Sequence, residues 1–276
     1  MSSILTNNSA MNALSTLRSV NNSLSETQNR ISTGMKVTSA KDNASYFSIS
    51  TTMTTESGMN KAVNEGLTLT KNSVATARLG AETMVGLAQQ FVDRLAFAQT
   101  DGVNQADVQK ELDSLSAQMK TAIDQSSFNG ENLINAAGAG AKTVVSGISR
   151  DGAGALNTTT IAFTSTDLDA VHTNFAAVAI TTGASATAAL SLAEGYLATV
   201  TGAATDLGIA EKQVETQQNF LNELADRLDS GVGSMIDADM EKEAARLQSL
   251  QVQQQLSTQS LSIANQAPQN ILSLFR

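Results

Sequence analysis

The stretch from Leu207 to Arg276 begins LGIAEKQVETQQNFLNELADRLDSGVGSM, and its apolar residues follow a seven-residue repeat. Large apolar side chains occupy every seventh position, with one more on the intervening seam: Leu207, Val214, Leu221, Leu228 and Met235, and then Leu224. A repeat of this length lines these side chains along one side of a helix that packs against other long helices. The stretch therefore predicts a long helix that needs a partner.

The other end of the chain offers that partner. Apolar residues repeat at seven there as well, with two more on a second seam: Ala10, Leu17, Leu24 and Ile31, and then Leu14 and Met35. Each end of the chain thus exposes half of a coiled-coil surface. We expect the two ends to come together and to be completed by neighbouring copies of the chain.

Composition restricts both the kind of core and the classes of partner. Of 276 residues 41% are hydrophobic, but there is no tryptophan and there are two tyrosines, so aliphatic side chains and alanines must fill closely packed helices. A single proline favours long helices. A net charge of −9 argues against binding to nucleic acid or to an anionic membrane. The absence of cysteine excludes disulfides and thiolate metal sites.

The apolar pattern predicts three helices in the first half of the chain. The first covers residues 1–33 and stops at Gly34, and residues 34–41 form a joint in which Ser39 or Asp42 caps the next helix. That helix covers residues 42–99 and is followed, after a turn at 100–102, by a third helix that ends in the turn at 126–130. The long helix carries two rows of small and apolar residues: Val63, Thr70, Ala77, Met84 and Phe91, and then Leu67, Val74, Ala81, Ala88 and Leu95.

The character of the sequence changes between residues 136 and 189. Glycines and threonines cluster there, and the short alternating segments 143–145 and 178–181 suit exposed strands. Helical spacing resumes near Leu190, and a second joint is expected at Gly231-Val232-Gly233, with Ser234 as the cap of the last helix. The expected fold is mainly α: a long antiparallel helical bundle or coiled coil formed by both chain ends, with a small β-rich or irregular central insertion.

Three structural regions follow from this organisation. Residues 1–41 and 234–276 form a terminal-helix layer, residues 42–135 and 190–233 a helical bundle, and residues 136–189 a variable surface insertion. The terminal segments carry few large apolar side chains for their length, so we expect them to be largely disordered in one copy and to fold when other copies cover them. The residues expected to pack between copies are Leu14, Leu17, Leu24, Ile31, Leu256, Leu261, Ile271, Leu272, Leu274 and Phe275. Those expected to pack inside the bundle are Leu67, Val74, Met84, Leu95, Leu207, Val214, Leu221 and Leu228.

No catalytic, metal or cofactor site is predicted. His172 is the only histidine and lies in the insertion, where a solvated loop residue is expected. The glycine-rich segment 138–142 lacks the spacing of a phosphate-binding loop. The alternating acidic residues 237–243 would scatter over a helix, which favours a charged first turn over a metal or acid–base site. A carboxylate-dependent hydrolase built on Asp237 and Asp239 remains an alternative.

Four motifs, three of them near the chain ends and one after the third helix, carry a family resemblance. Ala13-Leu14 with NRISTGMKVTSAKDNA (residues 29–44), FNGENL (128–133), DADMEKEAA (237–245) and ANQAPQNILSLFR (264–276) closely resemble bacterial flagellins. The resemblance implies a structural protein without enzymatic activity that assembles into a helical filament for swimming motility. It places the terminal helices around the central channel, with the bundle outside them.

The same resemblance implies partners and a location. It implies an extracellular filament of identical copies and export of the unfolded chain through the flagellar secretion channel. It also implies contacts with an export chaperone, the export apparatus and the filament cap and junction proteins. A hook–filament junction protein is the alternative within the family, and a soluble coiled-coil adaptor is the alternative outside it.

One position departs from the family pattern. Flagellins that strongly activate the vertebrate flagellin receptor carry an arginine where this chain has Phe91, while Leu95 in the same receptor-facing stretch fits the pattern. A phenyl ring cannot replace the charge and the donors of arginine. The resemblance therefore predicts weak activation of the receptor.

Overall fold

A computed structural model describes residues 6–151 and 154–273, with side chains described as far as residue 266. In this part of the chain six helices and two strands follow the order α1 (Asn8–Thr33), α2 (Ala44–Phe97), α3 (Gln105–Gln125), β1 (Gly140–Arg150), β2 (Leu156–Ser165), α4 (Leu168–Ala176), α5 (Gly183–Ile236) and α6 (Met240–Ser273). The mainly helical class with a small β insertion is confirmed. The chain forms two compact units: residues up to Thr55 together with those from Arg227, and residues Glu56–Asp226.

In the first unit, the ends of α1 are set by local capping. The side chain of Asn7 accepts a hydrogen bond from the backbone N–H of Ala10 at 3.0 Å and so begins the helix. Gly34 ends it in the left-handed conformation, with φ of 71°, which a residue without a Cβ adopts at little cost. The predicted stop at Gly34 is therefore confirmed.

The connection between α1 and α2 differs in detail from the predicted joint. Asp42 does not cap α2: its Oδ2 atom accepts four hydrogen bonds, from the backbone N–H and the hydroxyl of Thr38 and of Ser39. The cap is Asn43, whose side-chain oxygen accepts from the backbone N–H of Tyr46 at 3.0 Å. Because the carboxylate of Asp42 is already engaged by the preceding residues, the next side chain takes over the capping position.

The second predicted joint is also displaced. Helix α5 continues through Gly231 and Gly233 to Ile236, and the cap of α6 is Asp239, whose Oδ1 accepts from the backbone N–H of Lys242 at 3.1 Å. A bridge between Met35 and Asp237 and a hydrogen bond from Ala238 N to Gly34 O, at 2.8 Å, join this chain break to the α1–α2 connection. Glycine weakens a helix interior only modestly, so these contacts determine where the helix ends.

The second unit is built on α2 and α5, which run antiparallel. Cross-helix hydrogen bonds join Asn64 to Asn222 and Gln218 to Thr68. One core of aliphatic side chains and alanines also includes α3, α4 and the segments that connect them, and a smaller cluster of Leu67, Val214 and Leu221 lies below the hairpin residue Val144. The seven-residue repeats of the sequence therefore correspond to the buried seam.

The predicted insertion contains both a hairpin and helical structure. Strands β1 and β2 pair antiparallel from Gly140↔Ser165 to Arg150↔Leu156, and a bulge at Ser146 interrupts the register. The strand predicted at 143–145 is confirmed, but the one predicted at 178–181 is wrong. The side chain of Gln109 accepts from Ile180 N at 2.9 Å and donates to Val178 O at 3.2 Å, so a side chain occupies the backbone groups that a second strand would need.

Two helical boundaries in this region were not anticipated. Helix α4 is capped by Asp167, which accepts from the backbone N–H of Asp169 and Ala170, and it buries Leu168, Val171 and Phe175. Helix α5 begins at Gly183, ahead of the predicted Leu190. The intervening alanines are strong helix formers, and Ala186 and Ala189 are buried in the core.

Candidate assembly surface

Helices α1 and α6 of the first unit form an antiparallel pair held by polar contacts along its length. Asn7 Nδ2 donates to Ala264 O at 2.8 Å, and Gln254 Nε2 donates to Asn21 Oδ1 at 2.8 Å. Arg30 and Glu243 form an ion pair at 3.4 Å. The three contacts fix the register of the pair at both ends and in the middle.

The side of α6 turned away from α1 carries three large, exposed apolar side chains. Val252, Leu256 and Ile263 are 55%, 60% and 64% exposed, and their spacing of four and seven residues places them on one stripe. On α1, Met11 and Leu14 are exposed as well. A row of large apolar side chains in water is unfavourable, so this stripe fits contact with another protein surface.

The residues predicted to pack between copies are only partly covered by the α1–α6 contact. Leu14 and Leu256 are exposed, whereas Leu17, Leu24, Ile31 and Leu261 are half-buried. Ile271 and Leu272 lie in α6, but their side chains are outside the described part, and Leu274 and Phe275 lie outside the described residues altogether. Each half-buried side chain is covered in part within the α1–α6 pair and is in contact with solvent for the rest. The exposed part of these side chains is available for contacts with another copy.

All but one of the residues predicted to pack within the bundle lie in the core of the second unit. Seven of the eight are at most 2% exposed: Leu67, Val74, Met84, Leu95, Leu207, Val214 and Leu221. Leu228 belongs to the first unit and is half-buried. Burial at every seventh residue shows why the repeat is needed to hold α2 against α5.

Phe91 and Leu95 lie in the core. Phe91 is 1% exposed, and its ring meets that of Phe175 edge to face with ring centres 5.1 Å apart; Phe175 meets Tyr196 in the same way at 5.3 Å. Leu95 is fully buried. Neither side chain lies on the surface of this chain. A partner that binds this surface would therefore contact the exposed residues of α2 beside them.

Ion pairs tie α2 to α5 on the outside of the bundle. Arg78 donates from Nε to Glu211 at 2.6 Å and also pairs with Glu82, and these hydrogen bonds raise the pKa of the guanidinium. Glu215 lies between Lys212, at 3.0 Å, and Lys71, at 3.8 Å; the hydrogen bond from Lys212 is the main reason that the pKa of Glu215 is lowered. These groups are partly exposed, so each pair contributes little to stability.

His172 is not the solvated loop residue that the sequence predicts. It lies on α4, is half-buried, and its Nε2 atom is 3.2 Å from the hydroxyl of Ser116 on α3. Nearby Lys120 bridges Asp124 and Asp169, and the hydrogen bond that it donates to Asp124 is the first cause of its raised pKa. Distant residues of two helices make this contact, which no local spacing in the sequence could show.

The remaining sequence candidates have structural roles. Asp239 caps α6, Glu241 and Glu243 lie in its first turn, and Lys142 of the glycine-rich segment pairs with Glu131 at 2.9 Å. Within residues 6–151 and 154–273 no group of three or more acidic or histidine side chains could hold a metal ion. None of the described helices combines the length and the apolar character that crossing a bilayer requires.

Family models match both ends of the chain. The model of the bacterial flagellin N-terminal helical region matches residues 4–139, and that of the bacterial flagellin C-terminal helical region matches residues 190–275. Between them lie the hairpin and α4. The two matched regions therefore contain α1, α2, α3 and α6 and all but the first turns of α5.

Full-length relatives agree with these matches. A flagellin of Brucella melitensis is 40% identical over 284 residues, and flagellin FljK of Caulobacter vibrioides is 34% identical over 281 residues. The alignments cover 100% of this chain and 100% and 99% of the relatives. A solved structure from Vibrio parahaemolyticus, described as a flagellar hook-associated protein, shares the fold with a TM-score of 0.52 at 13% identity over 71% of this chain and 100% of that chain.

Proposed function

The chain belongs to the bacterial flagellin family and is a structural subunit of the flagellar filament, and from this we propose that its α1–α6 pair forms the contacts between copies nearest the filament axis. The apolar stripe of Val252, Leu256 and Ile263 carries the proposal. It faces away from α1, so a surface from another copy is needed to remove it from water.

The proposed layers follow the regions expected from the sequence. Residues 1–41 and 234–276 line the channel, residues 42–135 and 190–233 make the contacts of the surrounding layer, and residues 136–189 lie on the outside. Contacts that join different patches of identical copies, without closing into a ring, produce a helical polymer. The family match at both ends favours this role over that of a junction protein or a coiled-coil adaptor.

Seeded polymerisation tests the apolar stripe. Purified chain is added to filament fragments, growth is followed by light scattering, and the critical concentration is measured for wild type, Leu256→Asp and Gln251→Asp. Loss of one buried leucine costs about 2 kcal/mol, so Leu256→Asp should raise the critical concentration about thirtyfold. Gln251→Asp adds the same charge to an exposed position off the stripe and should change it little. Equal effects of the two variants would contradict the proposal.

Ordering of the chain ends on assembly is a second part of the proposal. Few large apolar side chains support α1 and α6, so we expect them to gain protection only when copies meet. Hydrogen exchange of the free chain and of the filament should show slow amides in residues 8–33 and 240–260 only in the filament. A chain truncated after residue 251 should stay monomeric, and filaments formed by it would oppose the proposal.

Export of the unfolded chain through the flagellar secretion channel, after capture of its C-terminal segment by a chaperone, is the proposed route to the extracellular filament. The family match and the apolar stripe support this route. The exposed stripe would cause an unassembled chain to aggregate, so it must be covered before export. Bacteria that lack the export apparatus should retain the chain. A chain that reaches the medium without that apparatus would refute the route.

Weak activation of the vertebrate flagellin receptor is proposed from Phe91. Its aromatic side chain lies in the core where strong activators carry an arginine, so the surface there lacks that charge. Reporter cells should respond far less to this chain than to an activating flagellin at equal concentration. A response of equal strength would be evidence against it.

A further inference from the structure

A two-residue turn between α3 and β1 contains the only Asn-Gly pair of the sequence, Asn129-Gly130. Phe128 and Glu131 close the turn through two backbone hydrogen bonds of 2.8 and 3.0 Å. Asn129 and Gly130 have φ of 51° and 82°, as the central residues of a type I′ turn require. Both residues are exposed.

We propose that Asn129 is a site of spontaneous deamidation, and that the fold slows the same reaction at Asn22, Asn43 and Asn72. The backbone nitrogen of Gly130 attacks Cγ of Asn129, a C–N bond forms, and the side-chain amide leaves as ammonia with the proton lost by the attacking nitrogen. The product is a five-membered succinimide. Water then adds to one of its two carbonyl carbons and breaks one C–N bond, which gives aspartate or isoaspartate at position 129.

Three features of the turn favour this reaction. Both turn hydrogen bonds belong to Phe128 and Glu131, and the backbone N–H of Gly130 has no partner among the described residues. Gly130 has no Cβ to obstruct the attack, and nothing lies within 4 Å of the place where a Cβ would be. Exposure admits the water that the second step consumes.

Three other asparagines that precede small residues are held in ways that oppose the reaction. Asn22-Ser23 and Asn72-Ser73 lie inside α1 and α2, where the attacking nitrogen donates to a helical carbonyl. Asn43-Ala44 uses its side-chain oxygen to cap α2. At Asn22 and Asn72 the helix must open locally before the nitrogen can reach the amide carbon, and at Asn43 the cap hydrogen bond must break. These positions should therefore react at least about tenfold more slowly.

The two products affect the turn differently. Aspartate tolerates the left-handed conformation nearly as well as asparagine, so the turn should persist with one added negative charge. Isoaspartate inserts a methylene into the backbone, which a two-residue turn closed by the Phe128–Glu131 bonds cannot accommodate. The added carboxylate also enters the cleft that contains the Glu131–Lys142 ion pair.

Peptide mapping of the full chain tests the proposal. Wild type and Asn129→Gly are incubated folded at mildly alkaline pH, and isoaspartate is quantified at each asparagine by mass spectrometry and by enzymatic methylation. Asn129→Gly keeps a turn in which both central residues accept positive φ, but it has no side-chain amide to lose.

Folded wild type should accumulate aspartate and isoaspartate at position 129 at least about tenfold faster than at Asn22, Asn43 or Asn72, and Asn129→Gly should gain none there. In denaturant the helical positions should accelerate, because their hydrogen bonds are lost. No product at position 129 in the folded chain, or equal rates there and at Asn72, would overturn the proposal. A folded-state rate at Asn72 equal to its rate in denaturant would overturn the slowing of the reaction by the fold.

Discussion

Arg30 Nη1 lies 3.4 Å from Glu243 Oε1 and joins α1 to α6 near the end of the pair at which the chain turns into α2. Glu243 is buried, and its second carboxylate oxygen has no hydrogen-bond partner among the described residues. The guanidinium is therefore the cation that compensates a carboxylate removed from water. Removing Arg30 should cost more free energy than removing one partner of a surface ion pair, because the buried charge of Glu243 is left uncompensated.

We predict that Arg30→Leu destabilises the α1–α6 pair by about 3 kcal/mol, because Glu243 is left buried without a cation. Thermal depolymerisation of filaments, followed by light scattering, should show the loss. The double variant Arg30→Leu with Glu243→Leu removes both charges and should recover most of it. A double variant as unstable as Arg30→Leu alone would show that the pairing is not the cause.

Asp42 predicts a pH dependence of the α1–α2 connection. Hydrogen bonds from Thr38 and then Ser39 lower the pKa of its carboxyl group below the ordinary value of 3.8. The ionised carboxylate of Asp42 therefore stabilises the α1–α2 connection fully above pH 3.8. This stabilisation is lost as the pH falls from 3.8 through the lowered pKa of the folded state. NMR shifts of the amides of Thr38 and Ser39 should titrate in that acid range.

Asp42→Asn should abolish this titration, because a neutral amide has no proton to gain. Asp101→Asn changes an exposed turn residue elsewhere and should leave the amides of Thr38 and Ser39 as in wild type. A midpoint above 3.8 in wild type would contradict the lowered pKa.

Phe91→Ala should destabilise the second unit by about 3 to 5 kcal/mol, since it leaves a cavity beside Phe175 and removes the edge-to-face contact. Phe97→Ala on the same helix is the matched control. That side chain is 51% exposed, and its removal should cost less than about 1 kcal/mol. Chemical denaturation of the free chain measures both changes, and a similar loss in the two variants would contradict the burial argument.

Gln109→Ala should destabilise the same unit by about 1 to 3 kcal/mol, because the backbone groups of Val178 and Ile180 lose their partner. Hydrogen exchange at the amide of Ile180 should become faster. Gln118→Ala removes a similar but exposed side chain from α3 and should leave that amide unchanged. Unchanged protection of Ile180 in Gln109→Ala would refute the role of Gln109.

Local pattern was sufficient for much of this fold. The repeats through Leu67, Val74, Leu207 and Val214 predict long helices and their buried seam, because side chains seven residues apart lie on one side of a helix whatever surrounds it. The stop at Gly34 follows from one residue's conformational freedom. The motifs at the chain ends were likewise sufficient for the family.

Two of the wrong predictions depended on distant residues. The expected strand at 178–181 is a loop because Gln109 binds it, and His172 meets Ser116 because α4 packs against α3.

The sequence by itself determined the long helices, their apolar seams and membership of the flagellins, since each depends on spacing along one segment. Tertiary structure alone decided that Phe91 is enclosed by Phe175, that Gln109 binds the backbone of Ile180, and that Val252, Leu256 and Ile263 face away from α1. Burial and hydrogen-bond pairing depend on which groups compete for the same space, and that competition exists only once segments far apart in the chain have met.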